Sequence, residues 1–184
     1  MLVFETERLC VQVATAEDAT FFHALWSDPD VMTWVGFPKG LGLSLGQVHA
    51  ILARQGEDDS PFEKRLVVIL TATGERIGEC KLGLPNADGI SNTDVKLLPQ
   101  FWGNKYGVEI KRRLLDYLFA HTDCLAVEAT PNKSNEASIA MQEAVGGVRV
   151  GEGVFEPPES PHPERSSVPH YLYRVYRQNW KGTA

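Results

Sequence analysis

The chain has 184 residues, of which 43% are hydrophobic, and it carries a formal net charge of −6. This length favours a single domain spanning residues 1–184, and the composition is sufficient for a packed core. The longest apolar run, 66–70, is too short to span a bilayer, and the N-terminal residues lack the basic and apolar segments of a secretory signal. We therefore predict a cytoplasmic protein that has no membrane partner.

Charge and cysteine content argue against two further classes of function, nucleic-acid binding and zinc binding. No cluster of basic residues extends beyond Lys111-Arg112-Arg113, which argues against nucleic acid as a partner. The acidic balance is compatible with a cationic amine substrate. Cys10, Cys80 and Cys124 are far apart in sequence and lack the paired spacing of zinc ligands. We predict reduced thiols in the core and no metal.

The first half of the chain predicts a strand, two helices and a three-strand meander. Thr15 precedes two acidic residues, which is typical of a helix start, and Asp28-Pro29 ends that helix near Ser27. Ser44 begins a second helix that runs to about Gly56, after a loop rich in glycine and aromatic residues. The predicted strands are 9–14, 65–71, 76–84 and 93–98.

The second half predicts the longest helix, Lys105 to His121, because apolar residues recur there at helical spacing. A strand over 125–130 follows, and a strand–helix–strand unit of this length implies a right-handed crossover and a parallel pair. The remaining predictions are a helix over 135–145, strands over 148–154 and 171–176, and a proline-rich loop over 155–170.

The most informative segment is 94–109, in which a strand ends at Pro99 and a turn with Gly103 and Asn104 leads into a helix at Lys105. A helix N-terminus offers unpaired N–H groups and a partial positive charge, which suit a phosphate. Glycine permits close backbone approach, and Lys105 adds a full charge. The segment therefore predicts a diphosphate site, although it matches neither the phosphate loop nor the dinucleotide fingerprint.

Four motifs in the same order resemble the GNAT superfamily of N-acetyltransferases, most closely its ribosomal-protein N-terminal acetyltransferase branch. The resemblance extends over most of the chain, from residue 6 to residue 180. Its motifs are Thr6-Glu7-Arg8-Leu9, Ser27-Asp28-Pro29, the loop from Pro99 to Glu109, and Asn135-Glu136-Ala137-Ser138 followed by Gly146-Gly147.

This resemblance implies an α+β GNAT fold with acetyl-CoA as co-substrate. Its central sheet is mostly antiparallel and seven-stranded, with splayed parallel fourth and fifth strands and about four helices on both faces. The pantetheine arm would lie in the gap between the splayed strands. The residues implied to bind coenzyme A are Val95 and Leu97 through their backbones, Trp102, Gly103, Asn104, Lys105, Tyr106 and Gly107 in the loop, and Asn135 and Ser138 in the next helix.

Two departures from the family pattern leave alternatives open. Lys105 replaces a family glycine, so its side chain could bind the diphosphate or weaken cofactor binding by crowding it. Many family members use a tyrosine as general acid, but Met141 occupies that region here. We assign the acid role to Ser138, with the alternative that Ser138 and Asn135 only cap the helix and bind cofactor.

The attacking amine must be neutral, so a base is required, often through water. Spacing does not distinguish among five candidates for this base. The loop over 32–42, which contains Trp34 and Phe37, borders the acceptor pocket in the family or packs as a lid. The candidate bases are Glu79, Asp94, Glu152, Glu156 and His170.

We therefore predict an acetyl-CoA-dependent enzyme that acetylates a primary amine of a small molecule or a protein N-terminus, by direct attack in a ternary complex. The alternative is a non-catalytic acyl-CoA-binding regulatory or structural module. A domain that binds some other phosphorylated ligand is a third reading, which leaves the match over Asn135 to Ser138 unexplained. Family habit also suggests a homodimer formed through the C-terminal strands.

Overall fold

The structure is a computed structural model, and it describes residues 1–55, 59–157 and 165–182. Its five α-helices in these ranges are α1 (Ala19–Ser27), α2 (Pro29–Met32), α3 (Leu45–Ala53), α4 (Tyr106–His121) and α5 (Glu136–Ala144). Its eight strands there are β1 (Leu2–Glu5), β2 (Leu9–Val13), β3 (Leu66–Leu70), β4 (Arg76–Leu82), β5 (Ile90–Leu97), β6 (Ala126–Ala129), β7 (Val148–Phe155) and β8 (Val168–Tyr176).

All eight strands form one sheet in the order β1-β2-β3-β4-β5-β6-β8-β7, and only β5 and β6 are parallel. The predicted fold class is confirmed. The sheet has one strand more than expected, because Leu2–Glu5 pairs antiparallel with β2 and extends the edge. The predicted fourth and fifth strands are therefore β5 and β6.

The parallel strands separate after a short common stretch. β6 pairs with β5 only from Ile90 to Asn92, whereas β5 continues to Leu97 and stays paired with β4. The Asn92 carbonyl accepts a hydrogen bond from the N–H of Gly83, which directly follows β4, and the Leu98 N–H donates to the Ile77 carbonyl of β4. Because the backbone direction of an extended strand alternates, Thr93, Val95 and Leu97 direct their N–H and C=O groups into the gap.

The sheet separates two apolar clusters. One contains α4 residues such as Ile110 and Leu114 packed on β4, and the other contains α1 and α3 residues such as Phe22 and Val48. Cys80 and Cys124 are buried free thiols, as predicted, and Cys10 is partly buried. No helix in the described ranges is long and apolar enough to cross a membrane.

Several predicted element boundaries shift by a few residues. The second predicted helix ends at Ala53, and Gly56 lies outside the described residues. β7 extends to Phe155 and β8 begins at Val168, so the strands take up part of the predicted proline-rich loop. Residues 158–164 of that loop lie outside the described residues.

Candidate functional site

A cavity of about 660 Å³ occupies the gap between β5 and β6. It runs from the start of α4, past Val95, to the opposite face of the sheet at Asp94 and Trp34. Nine of the ten residues that the resemblance implied for coenzyme A line it. These nine are Val95, Leu97, Trp102, Gly103, Lys105, Tyr106, Gly107, Asn135 and Ser138.

Asn104 is the tenth residue, and it does not line the cavity. Its side-chain amide donates hydrogen bonds to the carbonyl oxygens of Phe101 (3.3 Å) and Trp102 (3.1 Å). Its role is therefore to brace the turn from behind, because a short amide side chain readily bonds to neighbouring backbone groups.

Trp102 forms a hydrogen bond to a backbone group of β5 that was expected to contact the pantetheine arm. Its indole Nε1 donates to the Leu97 carbonyl oxygen at 2.8 Å, while 46% of the residue remains exposed. The Leu97 carbonyl is thus already paired. The N–H and C=O groups of Val95 and the N–H of Leu97 are the backbone groups of β5 that face the gap without this bond.

The turn before α4 contains two left-handed residues, Gly103 (φ 78°) and Lys105 (φ 62°). Lys105 is the N-cap of α4, and its side chain does not cap the helix. The first intrahelical hydrogen bond is donated by the Glu109 N–H to the Lys105 carbonyl. The N–H groups of Tyr106, Gly107 and Val108 therefore have no acceptor within the helix. Together with the helix dipole, these groups make the turn suited to an anion.

The left-handed backbone of Lys105 lowers folding stability, while its side-chain charge should favour acetyl-CoA binding. A side chain in this conformation costs about 1–2 kcal/mol, whereas glycine adopts it freely. We expect Lys105→Gly to raise the free energy of unfolding by about 1 kcal/mol and to weaken acetyl-CoA binding about tenfold, because a charge is lost. Denaturant unfolding and calorimetry measure the two effects. Tighter binding by Lys105→Gly would mean that the side chain crowds the diphosphate.

The first motif of the resemblance fastens this turn to the N-terminal strands. The Arg8 guanidinium donates from Nε (2.7 Å) and Nη2 (2.5 Å) to Glu109 Oε2, and Thr6 Oγ1 donates to Glu109 Oε1 (2.5 Å). Arg8 also donates to the Asn104 carbonyl (3.2 Å) and lies 4.4 Å from the centre of the Tyr106 ring. Both motifs appear in the sequence, but only the fold shows that they touch.

Arg8 therefore positions the turn before α4 without lining the cavity. We expect Arg8→Ala to weaken acetyl-CoA binding about tenfold, because the turn loses its bond at Asn104 and its packing at Tyr106. Arg8→Lys retains the charge but not the fork-shaped contact, so it should recover only part of the loss. Full recovery by lysine would show that charge alone matters. Calorimetry measures all three proteins.

Helix α5 closes the other side of the cavity. Asn135 is its N-cap, and Asn135 Oδ1 accepts a hydrogen bond from the Ser138 N–H (3.0 Å). The capping role is therefore observed, and it leaves the Ser138 hydroxyl at the cavity wall. Met141 also lines the cavity, with its sulfur 3.1 Å from where a Cβ on Gly107 would be. The glycine lets α4 and α5 approach each other.

A charge network lies on the opposite face of the sheet. Lys96 Nζ contacts Glu79 Oε1 (3.1 Å) and also bonds to Asp94 Oδ2, while Arg65 lies 3.8 Å from Glu79. Glu79 is 2% exposed, whereas 43% of the Asp94 side chain is accessible. Burial acts to raise the pKa of Asp94, but the Lys96 ammonium outweighs it and holds that pKa below the usual range.

Of the five candidate bases, only Asp94 lines this cavity. Glu79 is buried and pairs with Lys96. The other three lie on β7, on β8 or beside them, and each has its own partner. Glu152 pairs with Lys133 (3.2 Å) and Arg149 (2.5 Å), Glu156 accepts from Ser167 (2.5 Å), and His170 stacks on Phe155 (4.1 Å).

In the loop over 32–42, Trp34 and Phe37 take different predicted roles, one at the cavity and one in packing. Trp34 lines the cavity, together with Val31 and Val35. Phe37 instead packs in the α1–α3 cluster, with the Arg165 guanidinium 5.0 Å from its ring centre. Among the described residues, no group of three or more His, Cys, Asp or Glu is placed to hold a metal ion.

Two curated relatives are similar in sequence to most of this chain. A curated relative, the uncharacterized N-acetyltransferase p20 of Bacillus licheniformis, is 25% identical over 151 residues, covering 79% of this chain and 82% of the relative. The uncharacterized protein YkkB of Bacillus subtilis is 27% identical over 161 residues, covering 77% of this chain and 82% of YkkB.

Solved structures share the fold at low sequence identity. A GNAT acetyltransferase from Bacillus anthracis aligns with a TM-score of 0.74 at 20% identity, covering 97% of this chain and 99% of that one. A spermidine N-acetyltransferase from Vibrio cholerae, in complex with CoA and spermine, aligns with a TM-score of 0.76 at 18% identity, covering 94% and 98%. The family model for the acetyltransferase (GNAT) domain matches residues 8–148, so the chain belongs to the GNAT acetyltransferases.

Proposed function

We propose that this protein transfers an acetyl group from acetyl-CoA to a primary amine by direct attack in a ternary complex. One observation carries the proposal. A single cavity joins the anion-binding turn at Gly103 and Lys105, the free edge of β5 at Val95, and the Asp94 carboxylate on the far face of the sheet. Such a passage lets a donor and an acceptor meet from opposite sides, and positioning alone supplies much of the rate.

Each end of the cavity suits one substrate. The N–H groups of Tyr106 and Gly107 and the ammonium of Lys105 would hold the diphosphate, and the Val95 backbone would hold the pantetheine amides as an added strand. Asp94 would attract the acceptor ammonium and take its proton through water. The amine nitrogen bonds to the thioester carbon and the carbon–sulfur bond breaks. The Ser138 hydroxyl passes a proton to the departing thiolate and recovers one from the attacking nitrogen, which must lose its second proton to become an amide.

The Ser138 role is tested by a small substitution. Removing the hydroxyl in Ser138→Ala leaves the capping bond from the Ser138 N–H to Asn135 in place. We expect kcat to fall about 100-fold with little change in acetyl-CoA affinity, because general acid catalysis contributes about 10²–10⁴-fold. An unchanged kcat would leave Ser138 with a capping role only.

Two acceptor classes follow from different observations. The spermidine acetyltransferase with spermine, and an aminoglycoside acetyltransferase in complex with ribostamycin and coenzyme A, support a small polycationic amine. The motifs shared with ribosomal-protein N-terminal acetyltransferases support a peptide N-terminus. We favour the small amine, because the structural neighbours solved with a bound acceptor carry small polycationic amines.

Turnover tests the proposal. Release of free coenzyme A from acetyl-CoA is measured with spermine, an aminoglycoside and N-terminal peptides, and mass spectrometry identifies the acetylated product. We expect amine-dependent turnover with at least one small amine. Binding of acetyl-CoA without turnover on any amine would instead favour the non-catalytic acyl-CoA-binding module.

The expected homodimer stays a proposal. Strand β7 is the edge strand next to β8, and it exposes the apolar side chains of Val148, Val150, Val154 and Phe155. An exposed apolar edge favours pairing with a second chain. Light scattering during size-exclusion chromatography distinguishes a dimer from a monomer.

A further inference from the structure

Lys111 is a charged residue on the buried face of α4. It is 1% exposed, and its neighbours along the helix, Ile110, Leu114 and Leu115, are fully buried. Gly107 and Val108 precede it by one helical turn and line the cavity described above. Lys111 therefore lies one turn deeper along the wall that begins at the anion-binding turn.

A second cavity, of about 400 Å³, lies at the base of the gap, where β5 and β6 come together. Lys111 lines it from α4, Thr93 from β5 and Glu128 from β6. It shares part of its wall with the first cavity, so the two adjoin. The shared residues are Val35, Asp94, Val95, Thr130, Ser138 and Met141.

Lys111 is the basic residue that lines the second cavity, and it has no counter-ion within the described part of the chain. Its ammonium donates to Thr93 Oγ1 and forms no ion pair there. The two carboxylates that line the cavity have other partners: Asp94 pairs with Lys96, and Glu128 with Arg174 (2.9 Å). Burial lowers the pKa of Lys111 to about 7, although Asp94 acts to raise it.

An unpaired buried ammonium is costly, and a bound anion would relieve that cost. The direction in which acyl-CoA would lie along β5 determines which part of the molecule reaches Lys111. A pantetheine arm that adds to β5 runs from Leu97 towards Thr93, a distance of about 13 Å for four residues of strand. The acyl group at its end would thus lie over the base of the gap, beside Lys111.

On the basis of the proposed function, we propose that the base of the gap is a binding site for a negatively charged acyl group, with Lys111 as the counter-ion. The enzyme then accepts acyl donors whose short acyl chain ends in a carboxylate, of the malonyl or succinyl kind, in addition to acetyl-CoA. An acetyl methyl is about the size of a water molecule, whose share of liquid volume is about 30 Å³. The second cavity is far larger than that.

Calorimetry with acyl-CoA ligands tests the proposal without an acceptor. Succinyl-CoA and butyryl-CoA have acyl chains of the same carbon count, and only the first carries a carboxylate. We expect the natural protein to bind succinyl-CoA about thirtyfold more tightly than butyryl-CoA, in keeping with a buried charge pair. In Lys111→Met this ratio should fall to about one.

Two further measurements separate binding from folding. Lys111→Met removes a buried charge, so its melting temperature should rise while its preference for succinyl-CoA disappears. Thr93→Val removes the hydrogen bond but keeps the ammonium, and it should retain the preference. Loss of the preference together with a lower melting temperature would indicate simple loss of packing and would overturn the proposal.

The remaining outcomes distinguish this proposal from the function on which it rests. Tight acetyl-CoA binding without any succinyl-CoA preference would overturn the Lys111 site and leave acetyl transfer intact. Equal loss of binding for every acyl-CoA in Lys111→Met would make Lys111 part of the general donor site, which also contradicts the proposal. Absence of binding by every acyl-CoA, including acetyl-CoA, would overturn the proposed function as well.

Discussion

Replacing Gly103 with proline should weaken acetyl-CoA binding about 100-fold or more. Gly103 has a φ of 78°, whereas the proline ring fixes φ near −65°, so the turn before α4 cannot keep its shape. Proline also removes the N–H group of a residue that lines the cavity. A hydrogen bond to a charged group contributes about 1.5–3 kcal/mol, so losing one such bond and misaligning others accounts for the expected size. Calorimetry measures the loss.

Gly74 provides a matched control for this variant. It has a φ of 73°, it lies in the turn between β3 and β4, and it is outside the cavity lining. Both proline variants should lower the melting temperature, because both force the same backbone change. Only Gly103→Pro should lose acetyl-CoA. Equal affinity in the two variants would mean that the diphosphate binds elsewhere.

Replacing Asp94 with asparagine should lower kcat/KM for the amine by about 100-fold to 10⁴-fold, the usual contribution of general acid–base catalysis. The change keeps the size of the side chain and removes the only candidate base that lines the cavity. The affinity for acetyl-CoA should change little, because Asp94 faces the acceptor side of the sheet. Steady-state kinetics with a saturating donor measure the loss.

Glu152→Gln is the control, since Glu152, like Asp94, is a carboxylate that forms ion pairs, and it lies outside both cavities. It should keep kcat/KM within about twofold. A similar loss in both variants would show a general charge effect rather than a local role for Asp94.

The pH profile gives a second readout for Asp94. Its pKa is lowered, so the carboxylate is already ionised throughout the range from pH 5 to pH 9. A rise of kcat/KM with pH in that range should therefore belong to the acceptor amine, which must lose a proton before it attacks. The rise should persist in Asp94→Asn at a lower level. Its disappearance in the variant would assign it to Asp94 itself.

Local signals in the sequence were sufficient to predict the turn before α4, and the family resemblance of four motifs predicted the fold class. The turn before α4 depends on residues close together in the chain, namely Pro99, Gly103 and the start of the amphipathic helix, so its shape follows from neighbouring residues. Strand β1 was missed because Leu2–Glu5 is only four residues long and its pairing with β2 is irregular. An edge strand this short has almost no pattern of its own.

The Lys111-Arg112-Arg113 run carries a helical signal that residue type alone conceals. By residue type the three positions form one basic cluster, yet Lys111 is buried while Arg112 is exposed. Helical geometry places position 111 on the same face as Leu115 and Leu118, a signal that was available and outweighed by residue type. Asp94 could not be separated from the other four candidate bases, because only the sheet register places it at the cavity.

The most direct test of the central claim is a calorimetric titration of the natural protein with acetyl-CoA. Acetyl transfer through the cavity between β5 and β6 requires a donor site, and we expect saturable binding with one ligand per chain in the micromolar range, the usual range for enzyme substrates. Absence of binding at millimolar acetyl-CoA would contradict the account and leave a GNAT domain whose cavity serves another purpose.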